Sequence, residues 1–264
     1  MVVPAAGGCD SRRSYAREVV TENLVLAPGT FELRTSWSGA VPRPGQFFML
    51  RAARSRVLLG RPISVYDAGP LWLSFAIAGR GPGTLELSEL RSGDAVMLEG
   101  PLGSAWKDRG LWPRAGAAGG HKPLALVGGG IGLAPLLFLA KGLESGSHDL
   151  HAGFRSGSWG LEASTARVLI ISTEDGSIGR KGRVLDSFEA RNYSLILACG
   201  PEPMLRAVAE LAKVAVVPAL LGLERRMACG VGACLGCAVR TTGGNRRACV
   251  EGPVFTSDEL VFDE

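Results

Sequence analysis

Four of the six cysteines crowd into one stretch, Cys229-Gly-Val-Gly-Ala-Cys234-Leu-Gly-Cys237 and then Cys249, at the spacing C-x4-C-x2-C-x11-C. The first three follow the plant-type spacing of a [2Fe–2S] centre, whose fourth thiolate arrives from further along the chain. Gly230, Gly232 and Gly236 are expected to take positive φ and bring backbone N–H groups to the cluster sulfurs, where they offset negative charge. A structural zinc also accepts four thiolates, but its cysteine pairs are usually closely spaced at both ends of the site. Disulfides suit secreted domains, and nothing here looks secreted. Unconnected buried cysteines would not gather among so many glycines. The spacing favours iron–sulfur chemistry, with zinc as the competing metal.

Three further stretches carry residues suited to binding. Gly60-Arg-Pro-Ile-Ser-Val-Tyr66 reads as a strand edge, because Pro62 removes a ladder donor. On it Arg61 and Ser64 are expected to face the same way, one toward an anion and one toward a polar ring. Gly79-Arg-Gly-Pro-Gly-Thr84 offers free N–H groups and a hydroxyl ahead of a short helix at 85–90, an arrangement that binds phosphate. Gly128-Gly-Gly-Ile-Gly-Leu-Ala-Pro135 follows a buried strand and opens an apolar helix. That is the dinucleotide arrangement, although it is not the G-x-G-x-x-G fingerprint. Cys199, ahead of Gly200 and Pro201, falls at the carboxyl end of a strand, where open α/β sheets bind ligands. A small buried hydrophobe is the equal alternative there.

The elements that must position these residues differ along the chain. From Tyr15 to about Pro101 short β-runs are broken by Gly and Pro, which predicts an antiparallel barrel or sandwich. Gly103 to Lys122 reads as a linker or mobile loop, rich in Gly and Ala around 116–120. Strands at 121–127, 167–172 and 194–198 then alternate with helices at 136–143, 183–190 and 205–214, which predicts a parallel sheet with helices on both faces. Residues 219–264 are too few for a core of their own and should depend on their metal and on docking. Within them 252–255 should pack beneath the cluster, with a short strand at 260–262. The expected division is a disordered extension at 1–14, a β-barrel at 15–118, an α/β unit at 119–218 and a cluster segment at 219–264. His121, His148 and His151 show no ligand spacing and read as surface residues.

Composition excludes several classes. With 46% hydrophobic and 20% charged residues and a net charge of +4, the chain has ample core and no polybasic run for nucleic acid. Arg12-Arg13, Arg225-Arg226 and Arg246-Arg247 are isolated pairs, the last two flanking the cluster loop, where they could face an acidic partner. No apolar stretch is long enough for a membrane span, and residues 1–9 lack a secretory pattern. A cytoplasmic setting, where thiols stay reduced, is expected.

Taken together, R-P-I-S, G-G-G-I-G-L-A-P and C-G-P-E-P-M-L resemble the ferredoxin–NADP reductase superfamily. The stretches 224–239 and 248–255, with Thr173-Glu-Asp-Gly176 and Gly153-Phe-Arg-Ser156, resemble more narrowly the electron-transfer subunits of class 1B, NAD-dependent dihydroorotate dehydrogenases. The resemblance spans about 15–264. It implies that Arg61 pairs with FAD phosphate and Ser64 lies near the flavin ring, with Pro62 and Ile63 shaping the strand between. It further implies that backbone at Ile77, Ala78 and Gly79 supports the flavin, while Gly83 and Thr84 hold its pyrophosphate. Gly128, Gly129, Gly130, Ile131 and Gly132 would face the NADH pyrophosphate, Cys199, Gly200 and Pro201 would border the nicotinamide, and Cys229, Cys234, Cys237 and Cys249 would ligate [2Fe–2S]. The implied activity is an electron relay from NADH through FAD and the cluster to FMN in a separate catalytic subunit, two of each subunit together. Such a chain needs no acid or base residue of its own.

Some features stay open at this level. Arg155-Ser156 could hold a 2′-phosphate, which keeps NADPH in play, while Asp149 could bind a ribose 2′-hydroxyl. The same relay could serve a ferredoxin-, sulfide- or glutamate-linked acceptor. A zinc-stabilised binding module without redox activity would leave the R-P-I-S and glycine-rich stretches without a purpose.

Overall fold

A computed structural model describes residues 13–112 and 122–262. In its first half β1 (Ser14–Ala27), β2 (Thr30–Ser36), β3 (Phe47–Ala52), β4 (Arg61–Ser64), β5 (Asp67–Gly69), β6 (Trp72–Ala78) and β7 (Ala95–Leu102) form one antiparallel sheet, with α1 (Pro82–Ser88) between the last two. The strand order is β4-β3-β7-β1-β2-β6-β5. Its two edges are consecutive in the chain: Val65 N donates to the Gln46 carbonyl at 3.2 Å and Tyr66 N to that of Ser74 at 2.9 Å, so the sheet curls toward closure. Strand β2 shows why it folds this way. Phe31, Leu33 and Thr35 alternate inward between half-exposed neighbours, the period-two pattern of a sheet with one dry face. Inside, Trp37, Phe48 and Phe75 stack edge to face at centroid distances of 5.0 and 5.7 Å.

The second sheet is built differently. Strands β8 (Leu124–Gly129), β9 (His148–Phe154), β10 (Val168–Thr173), β11 (Arg180–Lys181), β12 (Leu195–Cys199) and β13 (Ala219–Gly222) are parallel, interleaved with α2 (Leu133–Lys141) and α3 (Glu202–Ala215). A hairpin, β14 (Ala238–Thr241) and β15 (Gly244–Arg247), precedes β16 (Val254–Thr256), which returns antiparallel to β13. The order is β11-β10-β9-β8-β12-β13-β16. Strands β8, β12 and β13 are buried at every position, as parallel strands covered on both faces must be. Helix α3 turns Leu205, Val208 and Ala212 inward, a helical stripe that meets the sheet.

Several local expectations change. Ser14, counted with the extension, already pairs with Gly100; residues 1–12 lie outside the described residues. The stretch read as a loop from Gly103 is anchored at Ala105 and Trp106, both buried, while Lys107, Asp108, Gly110 and Leu111 stay exposed. It forms a 3-10 turn at Trp106–Arg109, and Trp106 is only 1% exposed, seated against Gly222. The glycine- and alanine-rich part at 116–120 lies outside the described residues. No helix forms over 183–190; turns do, held by Asp186, whose carboxylate accepts from Arg183 N at 2.7 Å. That short segment caps itself locally instead of propagating. The strand expected at 260–262 is reduced to one bridge, Thr241 to Leu260.

The histidine expectation fails for two of the three. His148 and His151 are 0% and 1% exposed, because β9 sits between β8 and β10. His151 Nε2 shares a 2.8 Å hydrogen bond with the Tyr193 hydroxyl, and its ring meets Phe188 edge-on at 4.9 Å. Burial, aided by Arg180 and opposed by Asp149, pushes the His151 pKa down to about 4. His121 lies outside the described residues.

Candidate functional site

In the second sheet the chain runs from β8 outward through β9 and β10, then crosses back to β12 on the other side of β8. The crevice at the carboxyl ends of β8 and β12 is therefore the topological switch point, the ligand position of open α/β sheets. The two stretches singled out for nucleotide binding meet there. Gly128 pairs with Cys199. A Cβ on Gly132 would lie 2.5 Å from the Cys199 carbonyl oxygen, and one on Gly129 would lie 2.8 Å from Met204 Sδ and 2.9 Å from Pro201 Cδ. Gly130 takes φ +55, and a Cβ on Gly200 would come within 3.0 Å of Gly129 N. The glycines thus let two backbone turns touch, which leaves N–H groups rather than side chains facing the crevice. Ile131 lies in the 3-10 turn Gly130–Gly132 that leads into α2, half-buried against the sheet core. Cys199 is buried, and burial first, then nearby Glu224, raises its thiol pKa far above the ordinary value. It stays a neutral thiol.

Asp149 is not part of this crevice. It lies at the opposite end of β9, and its carboxylate takes two hydrogen bonds from Arg167, at 2.9 and 2.8 Å. Arg155 and Ser156 do follow β9's carboxyl end, and both are exposed. Asp175 beside them is pulled down to a pKa of about 2, chiefly by hydrogen bonds from Ser177 and then Ser156.

In the first sheet β4 is an edge, as Pro62 requires. Arg61 and Ser64 are three positions apart, an odd spacing that turns them to opposite sides of the pleat. Their shared reach comes instead from the edge itself and from the length of Arg61. That guanidinium lies over Gly83, where any Cβ would collide with it. Helix α1 begins there, earlier than expected, and its first-turn N–H groups at Gly83 and Thr84 have no intrahelical acceptor. Thr84 Oγ1 accepts from Arg80 N and Gly81 N at 2.9 and 3.1 Å, shaping the glycine turn. An arginine beside a helix start is a cradle for phosphate. Asn23, which carries no sequence signal, fixes the far end of α1: its amide donates to the carbonyls of Leu87, Ser88 and Leu90. Ile77 is buried in the barrel, so only its backbone can support a ligand, together with Ala78 and with Gly79, whose N–H donates to the Gly29 carbonyl at 2.8 Å.

The cysteines form two pairs. Cys237 and Cys249 are buried with their sulfurs 3.3 Å apart. Cys229 and Cys234 lie further out, and Cys234 N donates to Cys229 Sγ at 3.4 Å. Val231 N donates to the same sulfur and Gly236 N to Cys234 Sγ, each at 3.4 Å. Burial works to raise the Cys229 thiol, but N–H groups of Val231, Cys234 and Ala233 bring it down to about 7. Burial, then Cys237, pushes Cys249 up to about 12. Gly230 and Gly232 take φ +67 and +82 as expected, whereas Leu235 at φ +59, not Gly236, makes the last turn. Among the described residues no three His, Cys, Asp or Glu side chains gather about a single ion position. Paired thiols with N–H donors fit a two-iron centre, which takes two thiolates on each iron, better than one tetrahedral zinc.

The cluster loop docks on both sheets. Gly230 lies against the barrel, where a Cβ would sit 2.7 Å from Met49 Cγ and 3.1 Å from Leu102 Cδ1. Met49 in turn pairs with Pro62 of β4. Phe47, Met49, Leu102, Cys237, Cys249 and Phe255 share one apolar cluster; of the stretch 252–255 expected beneath the cysteines, Phe255 joins that cluster, while Val254 turns into the core with Trp106 and Leu220. Arg109, another residue without a sequence signal, donates to the Glu251 carbonyl and lies 5.1 Å over the Phe255 ring. Of the arginines expected to face a partner, Arg225 is tied to Glu202 and Arg247 to Glu251; Arg226 and Arg246 are exposed.

A family model for the iron–sulfur cluster binding domain of dihydroorotate dehydrogenase B matches residues 224–261. The dihydroorotate dehydrogenase B (NAD(+)) electron transfer subunit of Clostridium acetobutylicum is 41% identical over 255 residues, covering 96% of this chain and 100% of that protein. The chain belongs to the family of dihydroorotate dehydrogenase B electron transfer subunits. Another subunit of this family, from Clostridium perfringens, is 37% identical and covers 94% of this chain and 98% of its own. A solved structure of an NADH-dependent reduced ferredoxin–NADP oxidoreductase superposes with a TM-score of 0.76 at 26% identity, covering 97% of this chain and 91% of that one. The two sheets and the cluster segment thus have the arrangement of the ferredoxin-reductase fold. Among the described residues no helix is long and apolar enough to cross a membrane.

Proposed function

We propose that this chain takes electrons from NADH and passes them through FAD and a [2Fe–2S] cluster to the FMN of a dihydroorotate dehydrogenase catalytic subunit, in pyrimidine biosynthesis. The observation that carries this reading is the contact of Gly230 with Met49, which sets the cysteine loop one strand away from Arg61-Pro62-Ile63-Ser64. Bound FAD and cluster supply the conversion from two-electron to one-electron transfer that joins NADH to a one-electron carrier. The chain's own residues supply placement. Arg61, with the N–H groups of Gly83 and Thr84, neutralises the FAD pyrophosphate, and Ser64 offers a hydroxyl to the polar edge of the ring. Ile77, Ala78 and Gly79 present backbone to it. Gly128, Gly129, Gly130, Ile131 and Gly132 open α2 toward the NADH pyrophosphate. Cys199, Gly200 and Pro201 border the nicotinamide, with Cys199 a small neutral wall and not a nucleophile. Cys229, Cys234, Cys237 and Cys249 hold the cluster.

The chain divides as barrel 15–118, nucleotide unit 119–218 and cluster segment 219–264, the last lending β13 and β16 to the nucleotide sheet. It works in the cytoplasm with an FMN-containing catalytic subunit, two copies of each. A relay to another acceptor is less well supported, since the reductase structure is 26% identical against 41% for the clostridial subunit. Visible spectra of anaerobically purified protein test the relay: flavin bands with an iron–sulfur shoulder should both bleach on adding NADH. A colourless protein with stoichiometric zinc would overturn it. Co-purification with a dihydroorotate dehydrogenase catalytic subunit tests the acceptor.

A further inference from the structure

Arg247 ends β15 and stands two residues before Cys249. Its Nη1 donates to the Gly232 carbonyl at 3.4 Å, in the loop between Cys229 and Cys234. Its Nε donates to both carboxylate oxygens of Glu251 at 3.1 Å, and its backbone N to one of them at 2.7 Å. Its own carbonyl accepts from Val250, Glu251 and Gly252 N, at 3.1, 2.9 and 3.3 Å, which makes the turn that presents Cys249. The two loops are close at this point: a Cβ on Gly232 would lie 2.7 Å from Val250 Cγ2 and 3.1 Å from Arg247 Nη1. One guanidinium therefore spans the early cysteine loop and the late one, with its countercharge two residues past the fourth cysteine. The neighbouring charges are Arg109, which donates to the Glu251 carbonyl, and Glu259 at 3.9 Å from Arg109. The exposed Arg246 adjoins it along β15.

We propose that Arg247 is the positioning residue of the cluster site: it pins the two cysteine-bearing loops together and, balanced by Glu251, sets the charge at the cluster sulfurs. This rests on the assignment of the four cysteines as cluster ligands. Reduction adds an electron to the centre, so a neighbouring cation favours the reduced form and an anion opposes it. The planar fork of arginine can serve two acceptors at once, which a lysine ammonium on a flexible stem does poorly.

The test is an EPR-monitored redox titration of the full chain, loaded with FAD and cluster, for wild type, R247Q, R247K and E251Q. At the wild-type midpoint the ratio of reduced to oxidised cluster should fall by about three- to tenfold in R247Q, a tenfold change being about 59 mV for one electron. In E251Q it should rise by a similar factor. R247K should keep a near-wild-type midpoint and lose its iron faster to a chelator. Gln variants that both leave the midpoint unmoved, or move it in one direction, would overturn the proposal, as would R247K falling as far as R247Q. If R247Q holds no cluster, E251Q decides: an upward shift supports the role and an unmoved midpoint ends it. A wild type without a [2Fe–2S] signal would instead strike the cysteine assignment itself.

Discussion

The switch-point crevice and the cluster segment are the two places proposed to hold redox groups, yet they are built on opposite terms. The crevice stands on β8 and β12, which are buried at every residue, and it is shaped by backbone contacts among glycines. Its geometry follows from a core that exists without any ligand. The cluster segment has a short hairpin, β14 and β15, of which only Val239, Thr241 and half-buried Arg247 turn away from water. Its remaining burial lies chiefly in β13 and β16, which belong to the nucleotide sheet, and the cysteine loop's own fixed points are borrowed: Met49 and Leu102 from the barrel, Arg109 from the segment after it. A packed scaffold can wait for its ligand. A segment of this size must be held by its metal and its neighbours.

The largest expected effect follows directly. Cys249→Ser should abolish cluster binding, read as loss of iron and of the iron–sulfur absorption, while NADH still bleaches the flavin. Loss of flavin reduction as well would mean that the two regions are not independent. The sheet has its own weak point, the buried histidines of β9. His151 has a folded pKa of about 4 against 6.5 unfolded, so between those values the unfolded chain binds the extra proton. The neutral ring's contribution is full above pH 6.5 and is lost as pH falls toward 4, about 3 kcal/mol when complete. Burial lowers His148 in the same direction. Urea melts at pH 7 and pH 4.5 should show a smaller loss in His151→Gln than in wild type.

Smaller effects sharpen the contrast at single positions. Gly132→Ala would press a Cβ against the Cys199 carbonyl and should cost about 1–3 kcal/mol, with a raised KM for NADH and an unchanged cluster spectrum. Asp149→Asn should leave that KM unchanged, because the carboxylate is held by Arg167 at the far end of β9; a raised KM would return it to the ribose.

Much of this site is legible in the sequence because its chemistry is local. Cysteine spacing, the glycine run after an apolar strand and a proline beside an arginine each report what a few consecutive residues can do, and the structure brings 128–132 and 199–201 together at one crevice. Most of what failed depends on distant partners. Nothing near His148 or His151 says that β8 and β10 will flank them. The Gly103–Trp112 stretch is polar and glycine-punctuated, yet Gly222 and the Phe255 ring await its side chains. Residues 183–190 have helical composition, but the turn at Arg183 is closed by Asp186 before a helix can start. The amino-acid sequence by itself determined the ligand types, their spacing and the alternation that separates barrel from parallel sheet, since those are set by covalent order and side-chain period. Only the tertiary structure decided which face each residue met, which charges were paired and how near the cysteine loop came to β4, because those contacts join residues far apart in the chain.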